Sequence, residues 1–309
     1  MSFMDLRHLR YFVAVAEEGN VTRAAERLGI QQPPLSQQIQ ALERELEVPL
    51  FRRKPRGVEP TDAGRALLAD ARRILGDVEG ALAKARRTAR GEQGRINIGF
   101  TSSAPFHPFV PGVLSAFREA NPRISMALEE GGTVDLVAAL KAERLDAAFI
   151  RSPVADVEGI SVHALFEEPM CVALPKGHAL ARGPRAAPVA LADLAPEPFI
   201  LYRRASGPGL YDAIVGACHG AGFTPRIDQE APRIVATLNL VASGLGISIV
   251  PRSLSAMRLE GLRFRPLGSR PKLTASMGLA CRTVDHAAVA RRFVAAVRGA
   301  AGDAAERAS

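Results

Sequence analysis

The sequence predicts a multidomain protein of α and α/β class, and three observations carry that prediction. Apolar residues recur at helical spacing in three short segments between Leu6 and Leu50. A proline-free stretch from Asp62 to about Arg90 then keeps a single helical stripe. From Arg95 onward the period changes, and strand-like runs alternate with helical ones, as in a parallel sheet flanked by helices. A length of 309 residues is also more than one compact domain usually holds.

Turn chemistry separates the three short helices. Leu6, Leu9, Phe12, Val13 and Ala16 mark the first, Val21, Ala24, Ala25 and Leu28 the second, and Leu35, Ile39, Leu42 and Leu46 the third. Gly19 ends the first helix, Asn20 caps the second, and Gly29 follows it. The NVT sequon at Asn20 is therefore read as cap chemistry. Pro33 and Pro34 suit the first turn of the third helix, where an N–H has no intrahelical partner. A tight turn with small Ala24 and Ala25 beside it is the layout of a helix-turn-helix. In that motif the start of the second helix of the pair enters the major groove. Gln32, Ser36, Gln37 and Gln40, opposite Leu35, Ile39 and Leu42, are then candidates for base-edge or phosphate contacts, with Thr22, Pro33 and Pro34 beside them. The alternative is an ordinary solvated helix face.

Leu50 and Phe51 return to the core, and RRKPRGVEPT reads as a wing-like loop. Its Arg52, Arg53, Lys54 and Arg56 are candidates for contacts to a phosphate backbone. Thr61 can cap the long helix that follows. Along that helix Leu68, Leu75 and Leu82 fall seven apart, as do Ala71, Val78 and Ala85. This a/d seam is expected to mediate dimerisation, since the preceding domain looks too small to cover it. Gly91 and Gly94 read as a hinge.

Beyond the hinge, INIGF (96–100), ISMALEE and LDAAFIR read as strands, with a helix from near Pro105 and another over TVDLVAALKAE between them. After a connection near residue 165, PMCVALPKG opens a second unit that continues through FILY (199–202), two helices and GISIVP (246–251). TASMGLACR (274–282) and a last helix return to the first unit. The expected domains are thus 1–60, a linker helix over 61–92, and 93–309. Within the last, lobe I covers about 95–165 and 271–300, and lobe II about 166–270. Ligands of such sheets sit outside the carboxyl ends of strands. Thr101, Ser102 and Ser103 at one strand end, and Thr133 after Gly131-Gly132, offer hydroxyls and helix N-terminal N–H groups suited to a carboxylate. Ser206, Gly207, Pro208, Gly209 and Leu210 are expected in the opposite wall. Arg151 either adds charge to the cleft or pairs with Asp146 or Glu143.

Composition excludes several other classes. Half of the formal charge of +8 falls in the first 90 residues, so an anionic partner is expected there. Aromatic content of 5% and the absence of Trp argue against a base-stacking or sugar-binding platform. Cys171, Cys218 and Cys281 are too few and too far apart for a disulfide framework or a zinc site, which fits a reducing cytoplasm. No signal-like or membrane-spanning run is read. Cys171 with His178 is a weak nucleophile–base candidate, and His107, His163, His219 and His286 lack metal-ligand spacing. Gly244-Leu-Gly246 lacks the third glycine of a dinucleotide loop. Neither an enzyme, a metal nor a cofactor is expected.

The pattern HLRYFVAVAEEGNVTRAAERLGIQQPPLSQQIQALERELEVPLFRRKPRGVEPTDAG resembles the winged helix-turn-helix of the LysR-type transcriptional regulators, and the likeness extends over essentially the whole chain. Within that family, QQPPLS and GFTSS look most like the regulators of benzoate, catechol and chlorocatechol degradation. The resemblance implies a two-lobed, periplasmic-binding-protein-like α/β domain with a small organic-acid inducer, muconate-like or aromatic, between the lobes. It also implies a double-stranded operator, a homodimer assembled into a homotetramer, activation of transcription, and contact with RNA polymerase. Ser103 and Thr133 match positions that bind inducer carboxylates in those regulators. Gln31 stands where the family often has Ser or Thr, Gln37 where it often has Arg, and Leu210 where these regulators tend to carry an aromatic residue. The rival with a shared architecture is a solute-binding protein, which would lack the first 90 residues.

Overall fold

The computed structural model describes residues 4–152, 157–184, 186–268, 272–284 and 287–306. The chain divides into two compact units, Met1–Arg87 and Thr88–Ser309.

The first unit contains α1 (Leu6–Glu18), α2 (Val21–Leu28), α3 (Gln32–Leu46), the hairpin β1 (Phe51–Lys54) and β2 (Gly57–Pro60), and most of α4 (Asp62–Ala89). Asp5 caps α1 in a box with His8, a signal not read from the sequence. Asn20 caps α2 by accepting from the N–H groups of Thr22 and Arg23, and Gly19 and Gly29 close α1 and α2 at positive φ. Phe12, Leu35, Leu42 and Leu50 are fully buried at the centre, and Phe51 packs on Phe12 with ring centroids 5.3 Å apart. Two anchors fix the hairpin. Oε1 of Glu43 accepts from the N–H groups of Leu50 and Phe51, at 2.8 and 3.0 Å. The N–H of Val58 donates to the Gly19 carbonyl at 2.9 Å, and a Cβ on Gly57 would lie 2.1 Å from that oxygen. Thr61 caps α4 as expected, accepting from the Gly64 N–H.

The expected dimer seam needs correction. Ala71 is completely buried in the first unit's own core, and Leu68 and Leu75 pack against that core. The small domain covers more of α4 than its size suggests, because α4 lies along the α1–α3 cluster. Leu82 remains 53% exposed, with Val78 half-buried and Ala85 exposed on later turns.

The second unit continues with β3 (Gly94–Phe100), α5 (Phe109–Ala120), β4 (Ile124–Glu130), α6 (Thr133–Lys141), β5 (Ala147–Ser152), β6 (Ile160–Pro175), β7 (Pro198–Tyr202), α7 (Pro208–Gly220), β8 (Arg226–Ala231), α8 (Ile234–Ala242), β9 (Ser248–Pro251), β10 (Leu262–Pro266), β11 (Thr274–Arg282) and α9 (Ala288–Glu306). One sheet path runs β10-β6-β11-β5-β3-β4, with β9 also paired to β6. β3 pairs in parallel with β4 and β5, whereas β11 runs antiparallel to β5 and β6. β7 and β8 form a separate parallel pair, bridged to the main sheet side at Phe199 and Ile247.

Four readings change here. The connection expected near residue 165 is instead the middle of β6, whose first part pairs with β11 and whose last part pairs with β9 and β10. The alternating burial of Ser161 to Leu165 is a strand period that the polar residues obscured. The helix expected near Pro105 starts at Phe109, after a short 3-10 turn at Ala104–Phe106. Gly91 is not loose: it is buried, and a Cβ there would lie 2.6 Å from the Ala288 carbonyl group, while Gly94 begins β3. β8 and β10 were unread, being polar or interrupted by Arg; in β10, buried Arg265 donates to the carbonyls of Leu180, Arg182 and Ala187. His286 lies outside the described residues.

Replacing Ala71 with Leu forces three extra carbons into a filled core and is expected to destabilise the first unit by about 1–3 kcal/mol. Urea denaturation followed by helix content measures it; an unchanged midpoint would remove Ala71 from that core.

Candidate functional site

Two groups of candidate residues lie in separate units. In the first, α3 starts without a side-chain cap at Gln31 and carries its prolines in the first turn. Thr22, Gln32, Pro33, Pro34, Gln37 and Gln40 are exposed and Ser36 is half-buried, so the polar set faces outward from Leu35, Ile39 and Leu42. Nε2 of Gln32 donates to Oγ of Ser36 at 2.7 Å, joining two candidate base-reading groups. On the wing, Arg52, Arg53, Lys54 and Arg56 are all exposed. Glu59, absent from the sequence-derived set, pairs with both Arg52 and Lys54. Its cross-strand register, Arg52 opposite Glu59, is the signal that could have revealed it.

In the second unit a cavity of about 260 Å³ opens between the lobes. Ser102, Ser103, Thr133, Arg151 and Leu210 line it as expected, whereas Pro208 and Gly209 do not, because the first turn of α7 presents Gly207 and Leu210 instead. Thr101 and Ser206, from the same expected strand end and wall, also line it, as do Glu130, Asp135, Tyr202 and Arg233, which were not among the expected residues. A Cβ on Gly132 would lie 2.6 Å from the Ser206 carbonyl oxygen, so the lobes touch there through main chain. Arg233 of lobe II reaches Glu130 of lobe I at 3.6 Å.

Arg151 pairs with neither Asp146 nor Glu143. Nη2 donates to Glu168 Oε1 at 2.7 Å, Nε to Ser103 Oγ at 3.0 Å, and Nη1 to the Ala275 carbonyl at 3.4 Å. The second Glu168 oxygen accepts from the Ser253 N–H at 2.9 Å. Burial lowers the Arg151 pKa and the Glu168 charge opposes that, so the guanidinium stays protonated. Asp146 instead pairs with Arg282 at 3.3 Å. Ser103 thus holds Arg151 and caps no helix. The Thr101 hydroxyl is buried with no hydrogen-bond partner, and Gly132 stands at the N-cap of α6, so Thr133 is the helix's first residue and not its cap. Burial pushes the Tyr202 phenol far up, so it stays neutral and donates to the Gly207 carbonyl at 3.3 Å.

The catalytic candidates come apart. Burial pushes the Cys171 thiol up to about 12, and His178 pairs with Glu197 at 3.1 Å. Among the described residues no group of three or more His, Cys, Asp or Glu could hold a metal, and no helix is long and apolar enough to cross a membrane.

Two outcomes follow from this geometry. Glu168→Gln leaves a buried guanidinium without its counter-charge and is expected to destabilise the second unit by about 3–5 kcal/mol, read by chemical denaturation. His107 stacks on Phe166 at 3.8 Å, and its pKa is lowered chiefly by desolvation. A folded-state value below the unfolded one means stability is full above about pH 6.5 and falls as pH drops through the folded value. His107→Gln should therefore lose less melting temperature than the wild type on acidification from neutrality.

Residues 89–302 match the LysR substrate binding domain, and residues 6–65 match the bacterial regulatory helix-turn-helix protein, lysR family. The uncharacterized HTH-type transcriptional regulator YnfL of Escherichia coli (strain K12) is 44% identical over 264 residues, covering 85% of this chain and 88% of YnfL. BudR of Raoultella terrigena, also an HTH-type transcriptional regulator, is 38% identical, covering 94% of this chain and 99% of BudR. The crystal structure of CbnR, a LysR family transcriptional regulator, superposes with a TM-score of 0.83 at 32% identity, covering 95% of this chain and 100% of CbnR. CbnR complexed with its target DNA superposes at 0.82, with 32% identity and coverage of 96% and 100%. These relatives are regulators and not enzymes, and the chain belongs to the LysR family of transcriptional regulators.

Proposed function

We propose that the protein binds an operator through the start of α3 and the wing, and that a small organic acid held between the lobes sets promoter activity. In this reading residues 1–60 bind duplex DNA, 61–92 link and dimerise, and 93–309 take the inducer. Gln32, Ser36, Gln37 and Gln40 read bases, while Arg52, Arg53, Lys54 and Arg56 bind phosphates. The protein acts in the cytoplasm as a homodimer or tetramer, with RNA polymerase as the responding partner.

The observation that carries the inducer reading is the cavity between the lobes, with Ser102 and Thr133 in its wall. Thr133 begins α6, whose N-terminal amides add donors there. Of the two inducer classes that the resemblance implies, the lining favours an aromatic monocarboxylate over a muconate-like dianion. Arg151 and Arg233 are balanced by Glu130 and Asp135, and Glu168 already occupies Arg151. A cavity near the lower end of the usual range of about 300–1,000 Å³ suits a small ligand. The inducer must favour one lobe arrangement, since equal affinity for both shifts nothing.

Titration calorimetry with benzoate and cis,cis-muconate tests this. Benzoate is expected to bind more tightly, with Thr133→Ala weakening it by about tenfold; no saturable binding of either acid would withdraw the proposed class. Arg53→Ala with Arg56→Ala should weaken binding to every duplex and flatten its salt dependence by about 0.9 per lost phosphate contact. Leu82→Asp should move the protein toward monomer in sedimentation velocity, and an unchanged distribution would take α4 out of the dimer interface.

A further inference from the structure

We propose that Glu59 is an internal phosphate mimic on the wing, holding Arg52 and Lys54 so that a DNA phosphate must displace its carboxylate to reach them. The inference rests on the reading of the wing as a phosphate-binding element.

The hairpin register places Arg52 opposite Glu59 and Lys54 opposite Gly57. Facing residues in an antiparallel pair share a side of the sheet, and side chains alternate along each strand. Arg52, Lys54 and Glu59 therefore occupy one side, while Phe51 and Val58 pack from the other onto the core. Glu59 pairs with both cations of its side. Arg53 and Arg56 have no carboxylate partner among the described residues. The RRKPR cluster is thus two kinds of cation: two already engaged, and two free.

Glu59 is not needed to hold the hairpin. Glu43 fixes the start of β1, the Gly19 carbonyl receives Val58, and Phe51 sits on Phe12. The cation side chains are 63% and 54% exposed, where an ion pair adds little to stability and exchanges readily. A carboxylate presents arginine with the same paired oxygens as a phosphate. The two cations also keep the Glu59 carboxyl below its usual range, so it is an anion at any working pH. Bringing a phosphate to this side sets two like charges against each other until the carboxylate swings away. The side then offers one net positive charge where its two cations alone would offer two. Because phosphate affinity carries no sequence information, Glu59 lowers binding to all duplexes alike and leaves more of the discrimination to α3.

The test uses the full chain and a fluorescent duplex of mixed sequence, with anisotropy titrations over a range of KCl concentrations. Glu59→Gln is expected to tighten binding by roughly three- to tenfold at about 0.1 M salt and to steepen the slope of log K against log salt by about 0.9. In a background carrying Arg52→Ala and Lys54→Ala, the same change should give less than about a twofold gain, since the cations it releases are gone. Glu59→Thr, a replacement suited to a strand, should repeat the tightening if the Gln variant melts early. Binding that is unchanged or weaker, an unchanged slope, or an equal gain in the double-alanine background would overturn the proposal. If Arg52→Ala with Lys54→Ala leaves the wild-type slope intact, it is the phosphate reading of these two residues that fails, and the mimic falls with it.

Discussion

The ion pair between Arg151 and Glu168 is the contact on which the geometry of the second unit depends. Arg151 stands near the end of β5 in lobe I, and Glu168 lies in β6 just before that strand leaves β11 for β9 and β10. One carboxylate oxygen takes the guanidinium, and the other takes the N–H of Ser253 at the turn after β9. Both side chains are about 95% buried, so neither has water to fall back on. The pair joins the floor of one lobe to a turn of the other, and through Ser103 it also sets a wall of the cavity. Much of the positive field that a bound acid would feel from Arg151 is already cancelled.

The two units use charge in opposite ways. On the wing, ion pairs sit in a high effective dielectric, are screened by salt, and can change partners without disturbing the backbone. Beneath the cleft the pair is nearly dry, its hydrogen bonds satisfied on both sides, and exchanging its partner would mean reorganising the strand crossing. A regulator needs both kinds: contacts that trade rapidly with the phosphates it scans, and a fixed frame against which a ligand can be measured.

The sequence was most legible where the determinants are local. Asn20, Gly19, Gly29 and Thr61 bound helices because caps act within a few residues, and the alternation from Arg95 onward gave the α/β class. The long helix was visible, but not what its stripe packs on, since a seven-residue repeat looks the same against a partner or against its own domain; Ala71 is the example. Ser103 and Thr133 were found because a hydroxyl at a strand end or helix start is a local pattern. Glu168, Arg233 and Glu130 were missed because their roles come from pairings between distant segments that no periodicity records. β8 and β10 were missed because polar or basic strands at the sheet margins lack the apolar alternation that betrays a half-buried strand.

The touch between Gly132 and Ser206 has an evolutionary side. On lobe II it is made mainly by main-chain atoms of residue 206, which every amino acid possesses, while residue 206 as a whole also borders the cavity. Replacements at 206 can therefore alter the chemistry of the chamber while the carbonyl oxygen still abuts Gly132. Residue 132 has no such freedom, because any side chain would begin inside its neighbour. Descendants of this gene can drift toward new signals at one position of the contact while the other stays glycine.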